Sequence, residues 1–153
     1  VVARMAATGG AVTVLSMGGA LRDPSALAVA ADGTAYVTDG RADSGLGAVF
    51  RIPMGGAPAR VVGRLRMGHP AGIALSRDER RLLVAGWDVE TGPGRLTWVG
   101  VDGMGAMSPM ALGAPLTSPT GVARARNADI YGIADDTATD MAASSWGAVF
   151  TAR

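Results

Sequence analysis

Short apolar runs broken by polar turns recur along the chain, and no apolar stripe keeps a helical period for longer than one turn. Residues 27–30, 73–75 and 122–125 are small and apolar. Each run is followed by Asp32, Asp78 or Asn127, short polar side chains that suit a tight turn because they hydrogen-bond their own backbone. Residues 35–38, 82–85 and 130–133 come next, rich in the Val, Ile, Leu and Tyr that strands favour. After a polar loop, three runs open on glycine: GAVFRI from Gly47, GRLTWVGV from Gly94 and GAVFTA from Gly147. Their partial alternation predicts half-buried third strands. Gly55-Gly56 and Asp102-Gly103 are hairpin dipeptides that lead into fourth segments at 59–65 and 107–116. The pattern therefore predicts an all-β chain.

These runs form a repeat. Aligned on Pro24, Pro70 and Pro119, the segments PSALAVAADGTAYVTDG, PAGIALSRDERRLLVAGWD and PTGVARARNADIYGIADD start 46 and 49 residues apart, from 24 to 70 and from 70 to 119. That spacing falls in the range of four-stranded propeller blades. Residues 1–19 match the later part of a repeat, as comparison with AVFRIPMGGAPARVVG at 48–63 shows. The expected organisation is a partial blade at 1–22 holding strands three and four, complete blades at 23–68 and 69–117, and a partial blade at 118–153 holding strands one to three. Radial propellers have about four to eight blades, so this stretch forms an incomplete ring. The first residue is Val1, with no initiator methionine, so a preceding segment such as a signal peptide is expected.

The run PAGIALSRD from Pro70 to Asp78, with its following Leu-Val strand, and the run VFRIPMGG from Val49 to Gly56 resemble the NHL and SMP-30/gluconolactonase-like β-propellers. The resemblance implies β-propeller blades of four antiparallel strands, from a ring of six, in an extracytoplasmic bacterial protein. Some members of that group are metal-dependent lactonases or esterases, and many are binding platforms. In the metal-dependent members an Asn follows the blade-opening proline and faces a divalent ion. Ser25, Ala71 and Thr120 stand at those positions here, so the resemblance implies a binding module ahead of a hydrolase.

Composition narrows the chemistry. The 153 residues include no cysteine, which removes disulfides, thiolate metal sites and cysteine nucleophiles. Fourteen Arg face thirteen acidic residues, a net charge of +1 that gives no electrostatic case for nucleic acid. Lys and Gln are absent, which reflects coding-sequence base composition. No apolar run is long enough for a membrane-spanning helix.

In propeller topology the loops between second and third strands share one face with the inter-blade links. Those loops carry Asp39, Asp43, Asp88, Glu90, Asp135, Asp136 and Asp140 with Arg41 as their one basic residue, whereas the opposite turns carry Arg77, Arg80, Arg81, Arg124 and Arg126. An acidic rim facing a basic rim is expected, the acidic one attracting a cation or a basic partner. Asp135, Asp136 and Asp140 form the best local oxygen-ligand set for calcium, although they lack EF-hand spacing. No cofactor is otherwise called for. Trp87 and Trp146 sit in the same loops, where an indole either stacks on a ligand or fills a gap in an Ala-rich core. Trp98, Phe50 and Phe150 fall in third strands and are expected to pack between blades.

His69, the single histidine, sits beside Pro70 in an inter-blade link on that face, with Ser25, Ser44, Ser118 and Asp88 as conceivable neighbours. No Gly-x-Ser-x-Gly elbow accompanies it, so no catalytic residue is assigned. The expected function is a binding or scaffold module whose loop face meets a protein, peptide or glycan through Asp39, Asp43, His69, Trp87, Asp88, Glu90, Asp135, Asp136, Asp140 and Trp146. The alternatives are part of a lactonase-type or esterase-type hydrolase, and an oligomer whose copies close a ring between themselves. Open strand edges would join the chain to a second copy or to further blades.

Overall fold

A computed structural model describes the backbone at 1–111, 116–140 and 145–153, and the side chains of these residues except 69–71, 138–140 and 145–146. The fold is all-β, with four open antiparallel sheets among the described residues. A hairpin of β1 (Val2–Arg4) and β2 (Thr13–Ser16) comes first. The second sheet runs in chain order through β3 (Pro24–Val29), β4 (Ala35–Asp39), β5 (Ala48–Ile52) and β6 (Ala59–Gly63). The third repeats that order with β7 (Met67–Leu75), β8 (Arg81–Asp88), β9 (Gly94–Gly100) and β10 (Met107–Met110). The fourth comprises β11 (Pro119–Arg124), β12 (Tyr131–Asp140) and β13 (Ser145–Ala152). No helix among the described residues is long and apolar enough to cross a membrane.

Several strands run further than the apolar pattern indicates. β7 begins at Met67, so His69 lies within a strand and not in a link, and a register shift between Gly68 and Gly72 absorbs the Pro70 region. β8 continues through Trp87 to Asp88, and β12 reaches Asp140. Polar residues can end an apolar run without ending a strand when their side chains find backbone donors, as Asp88 and Asp135 do.

The core lies between sheets, because each strand directs alternate side chains to opposite faces. The second and third sheets bury Val49, Val62, Ile73, Leu75, Leu82 and Val84 between them. The third and fourth bury Ala74, Leu83, Ala85, Leu96, Tyr131 and Ile133. Trp98 meets Tyr131 edge-on at 5.3 Å, and the Arg81 guanidinium lies 4.5 Å from the Trp98 ring centre. The hairpin covers the outer face of the second sheet through Val2 and Leu15 against Phe50 and Ile52.

The opening strands β3, β7 and β11 run side by side, with β7 beside both of the others. Their approach is close enough to require glycine. A Cβ on Gly72 would stand 2.6 Å from the Val122 nitrogen and 2.8 Å from the Gly121 carbonyl carbon. The turns are tied as well: the Ala31 N–H donates to Glu79 Oε1 at 2.8 Å, and the Arg77 N–H donates to Asp129 Oδ1 at 2.8 Å. One contact thus recurs at both junctions, 46 residues apart in its donors, from 31 to 77.

Candidate functional site

Asp39 and Asp88 end their second strands, Asp135 stands at the register shift in the middle of β12, and all three are buried. Asp39 is wholly inaccessible. Its Oδ2 accepts the backbone N–H groups of Arg22 at 2.6 Å and Asp23 at 2.9 Å, and its Oδ1 accepts those of Arg41 at 3.1 Å and Ala42 at 2.9 Å. Four donors fill the acceptor sites of a carboxylate, so Asp39 holds two loops together and has no lone pair for a ligand.

Asp135 does the same for the fourth sheet, accepting N–H groups from Thr117, Ser118 and Thr137. Asp88 accepts from the backbone of Glu90 and Thr91 and pairs with Arg95, whose other nitrogens reach Thr97 Oγ1 and the Leu65 carbonyl. The hydrogen bond from the Thr91 backbone, aided by Arg95, holds the Asp88 carboxyl below its ordinary value of 3.8 despite burial. These three aspartates therefore hydrogen-bond the backbone of their loops.

Two further acidic residues of the expected rim meet arginines. Asp43 pairs with Arg60 at 3.5 Å, and Glu90 pairs with Arg66. Charge counted along the second-to-third loops leaves out Arg22 and Arg66 from the links, Arg60 from β6 and Arg95 from the start of β9. On the opposite turns, Arg124 donates to the carbonyls of Leu75, Ala125 and Ala128, so part of the basic rim is committed to the backbone too.

A recess of about 890 Å³ opens beside the Asp39 clamp. Arg22, Arg41, Asp43, Ser44, Phe50 and Arg60 line it, together with Ala42 and the small residues of the link. Arg22 and Arg41 are exposed, and each projects from a residue whose backbone N–H is fixed by Asp39. Arg60 enters from β6. Three arginines and one aspartate thus border the recess, and Arg60 is paired with that aspartate.

The rim of the recess carries backbone strain. Asp43 and Ser44 have φ of 53° and 62°, two consecutive non-glycine residues in the left-handed region, at a cost of about 1–2 kcal/mol each. Strain of this kind concentrates where a loop must hold one shape for binding. Arginine forks match carboxylate and other planar or tetrahedral oxyanions, so the recess is suited to an anionic group.

The remaining residues of the expected site are dispersed. Trp87 is half-buried in β8, opposite Gly68, and its indole occupies the space where a Gly68 Cβ would stand, which is the gap-filling role. Asp136 is exposed on β12. The side chains of His69, Asp140 and Trp146 lie outside the described residues. Among the described residues, no three His, Cys, Asp or Glu side chains converge as a metal site. The three recess arginines come from a link, a loop and an outer strand, and no local motif announces them. Their one sequence signal is the buried-strand Asp39 followed by Arg41. No protein-family model matches this chain, and no curated protein matches it.

Proposed function

We propose that the chain is a binding module built of β-propeller blades, and that its recess between Arg22, Arg41 and Arg60 receives a carboxylate of a protein, peptide or glycan partner. The blade reading is supported by two sheets of the same sequential strand order whose opening strands stand side by side. The observation that carries the binding reading is the pair of guanidinium-bearing loops locked by one buried carboxylate, Asp39. Fixing the backbone of both loops lowers the ordering cost that binding must meet.

Calorimetric titration with three probes tests this reading: hexaglutamate, an oligogalacturonate and a neutral oligosaccharide. Saturable binding of either acidic probe, weakening as salt rises, is the expected result. Equal binding of the neutral sugar, or no binding of the acidic ones, contradicts it.

A further inference from the structure

We propose that the outer edge of β6 receives an extended acidic peptide as a further strand, whose alternate carboxylates enter recesses on the two sides of β6, a step that rests on the carboxylate reading of the first recess.

β6 ends the strand order of its sheet, so one row of its backbone N–H and C=O groups faces away from β5. A recess flanks it on each side. The first, between Arg22, Arg41 and Arg60, lies toward the hairpin, because Phe50, which lines it, packs with Val2 and Leu21. The second, of about 430 Å³, lies toward the third sheet, between Val61 and Val62 of β6, Arg64 of the link and Met104 of the β9–β10 turn. Arg60 and Asp43 border both. Asp43 reaches over the end of β6, its Oδ2 2.6 Å from where a Gly63 Cβ would stand. The residues that line the two recesses include four arginines, Arg22, Arg41, Arg60 and Arg64, against one acidic residue, in a chain whose net charge is +1.

Strand addition suits this geometry. Side chains alternate between the two faces of a sheet, so neighbouring residues of a peptide paired with β6 point into different recesses. One carboxylate then meets Arg22, Arg41 and Arg60, and the next meets Arg64. A uronate chain carries the charge without a backbone that pairs with a strand. Of the outermost strands β2, β6 and β10, β6 alone bears a charged side chain among the described residues. β10 also contains Pro109, which has no N–H for a further strand. A second copy of β6 would set arginine against arginine, so the edge favours an acidic partner over itself.

The test is calorimetry of the whole chain with hexaglutamate and with hexaglutamate N-methylated at every peptide bond, which keeps its carboxylates and loses its backbone donors. Hexaglutamate is expected to bind at least about tenfold more tightly than the methylated peptide or an oligogalacturonate of equal charge, as for the loss of two backbone hydrogen bonds. Hydrogen exchange read by mass spectrometry should show the β6 amides slowed by hexaglutamate and those of β10 unchanged. Arg64→Asn, with a residue that tolerates the φ of 52° there, should weaken hexaglutamate binding about fivefold. Equal binding of the methylated peptide or the uronate, unchanged β6 exchange, or wild-type affinity in Arg64→Asn overturns strand addition and leaves the carboxylate reading standing. Absence of binding by every acidic probe overturns both.

Discussion

Asp129 in the turn after β11 accepts the backbone N–H of Arg77 in the turn after β7, at 2.8 Å, and so fastens one sheet to the next. The same oxygen accepts the Tyr131 hydroxyl at 2.9 Å. The Arg77 hydrogen bond and then the Tyr131 one hold the Asp129 carboxyl below its ordinary value of 3.8, and Tyr131 is pushed up, chiefly by burial. The tie recurs with Glu79 and Ala31, and it explains why acidic residues belong in these turns.

Acid sensitivity follows. A carboxyl whose folded pKa is depressed contributes stability that is fully present above its unfolded value and is lost as pH falls through the folded value. Asp32, Asp78, Asp88 and Asp129 are all shifted downward, from 3.8. Thermal midpoints followed by circular dichroism should stay level from neutrality to about pH 5 and fall below about pH 4. Asp129→Asn should flatten that fall, because one of the groups responsible is removed. An unchanged acid limb in this variant would remove Asp129 from the account.

Asp39 should resist even isosteric replacement. Asparagine places an NH₂ against two of the four N–H donors that converge on the carboxylate. Asp39→Asn and Asp39→Ala are each expected to cost about 3 kcal/mol in urea unfolding, since buried backbone donors lose a charged acceptor. A loss under about 1 kcal/mol in both would show that the loops hold without the clamp.

Two glycines at the same repeat position should respond differently. Gly72→Ala drives a methyl into the backbone of β11 and should destabilise by about 1–3 kcal/mol. Gly121→Ala has open space and should change monomer stability by no more than about 0.5 kcal/mol. Equal effects in denaturant unfolding would argue against the close approach of β7 and β11.

Trp98 ties Arg81 of its own sheet to Tyr131 of the next. Removing it in Trp98→Ala should cost about 3 kcal/mol or more, through lost packing on Tyr131. Arg81→Ala should cost about 0.5–1 kcal/mol through the lost contact between cation and ring. Unfolding curves of the two variants separate these contributions.

The middles of the second and third strands were legible because Val, Ile, Leu and Tyr mark them: 35–38 lies within Ala35–Asp39, and 82–85 lies within Arg81–Asp88. Strand ends were not, because Gly68, His69, Pro70, Asp88 and Asp135 look like turn residues in a linear string. Only in three dimensions do those aspartates meet the N–H groups that let a strand carry them. The recess is hidden in the sequence for a related reason. Acidic side chains near the loops are prominent in the sequence, yet Asp39, Asp88 and Asp135 are buried, while Arg22 and Arg60, 38 positions apart from 22 to 60, line one recess. Burial and convergence are tertiary properties that spacing along the chain does not encode.

The central claim is that the clamped arginines of the recess bind a carboxylate, and the affinity of Arg22→Ala/Arg41→Ala for hexaglutamate tests it most directly. Both side chains are exposed, so the double variant should unfold at the wild-type temperature. Its dissociation constant should rise at least about tenfold, as expected when two charged hydrogen-bond donors are removed. Wild-type affinity in this folded variant would contradict the claim.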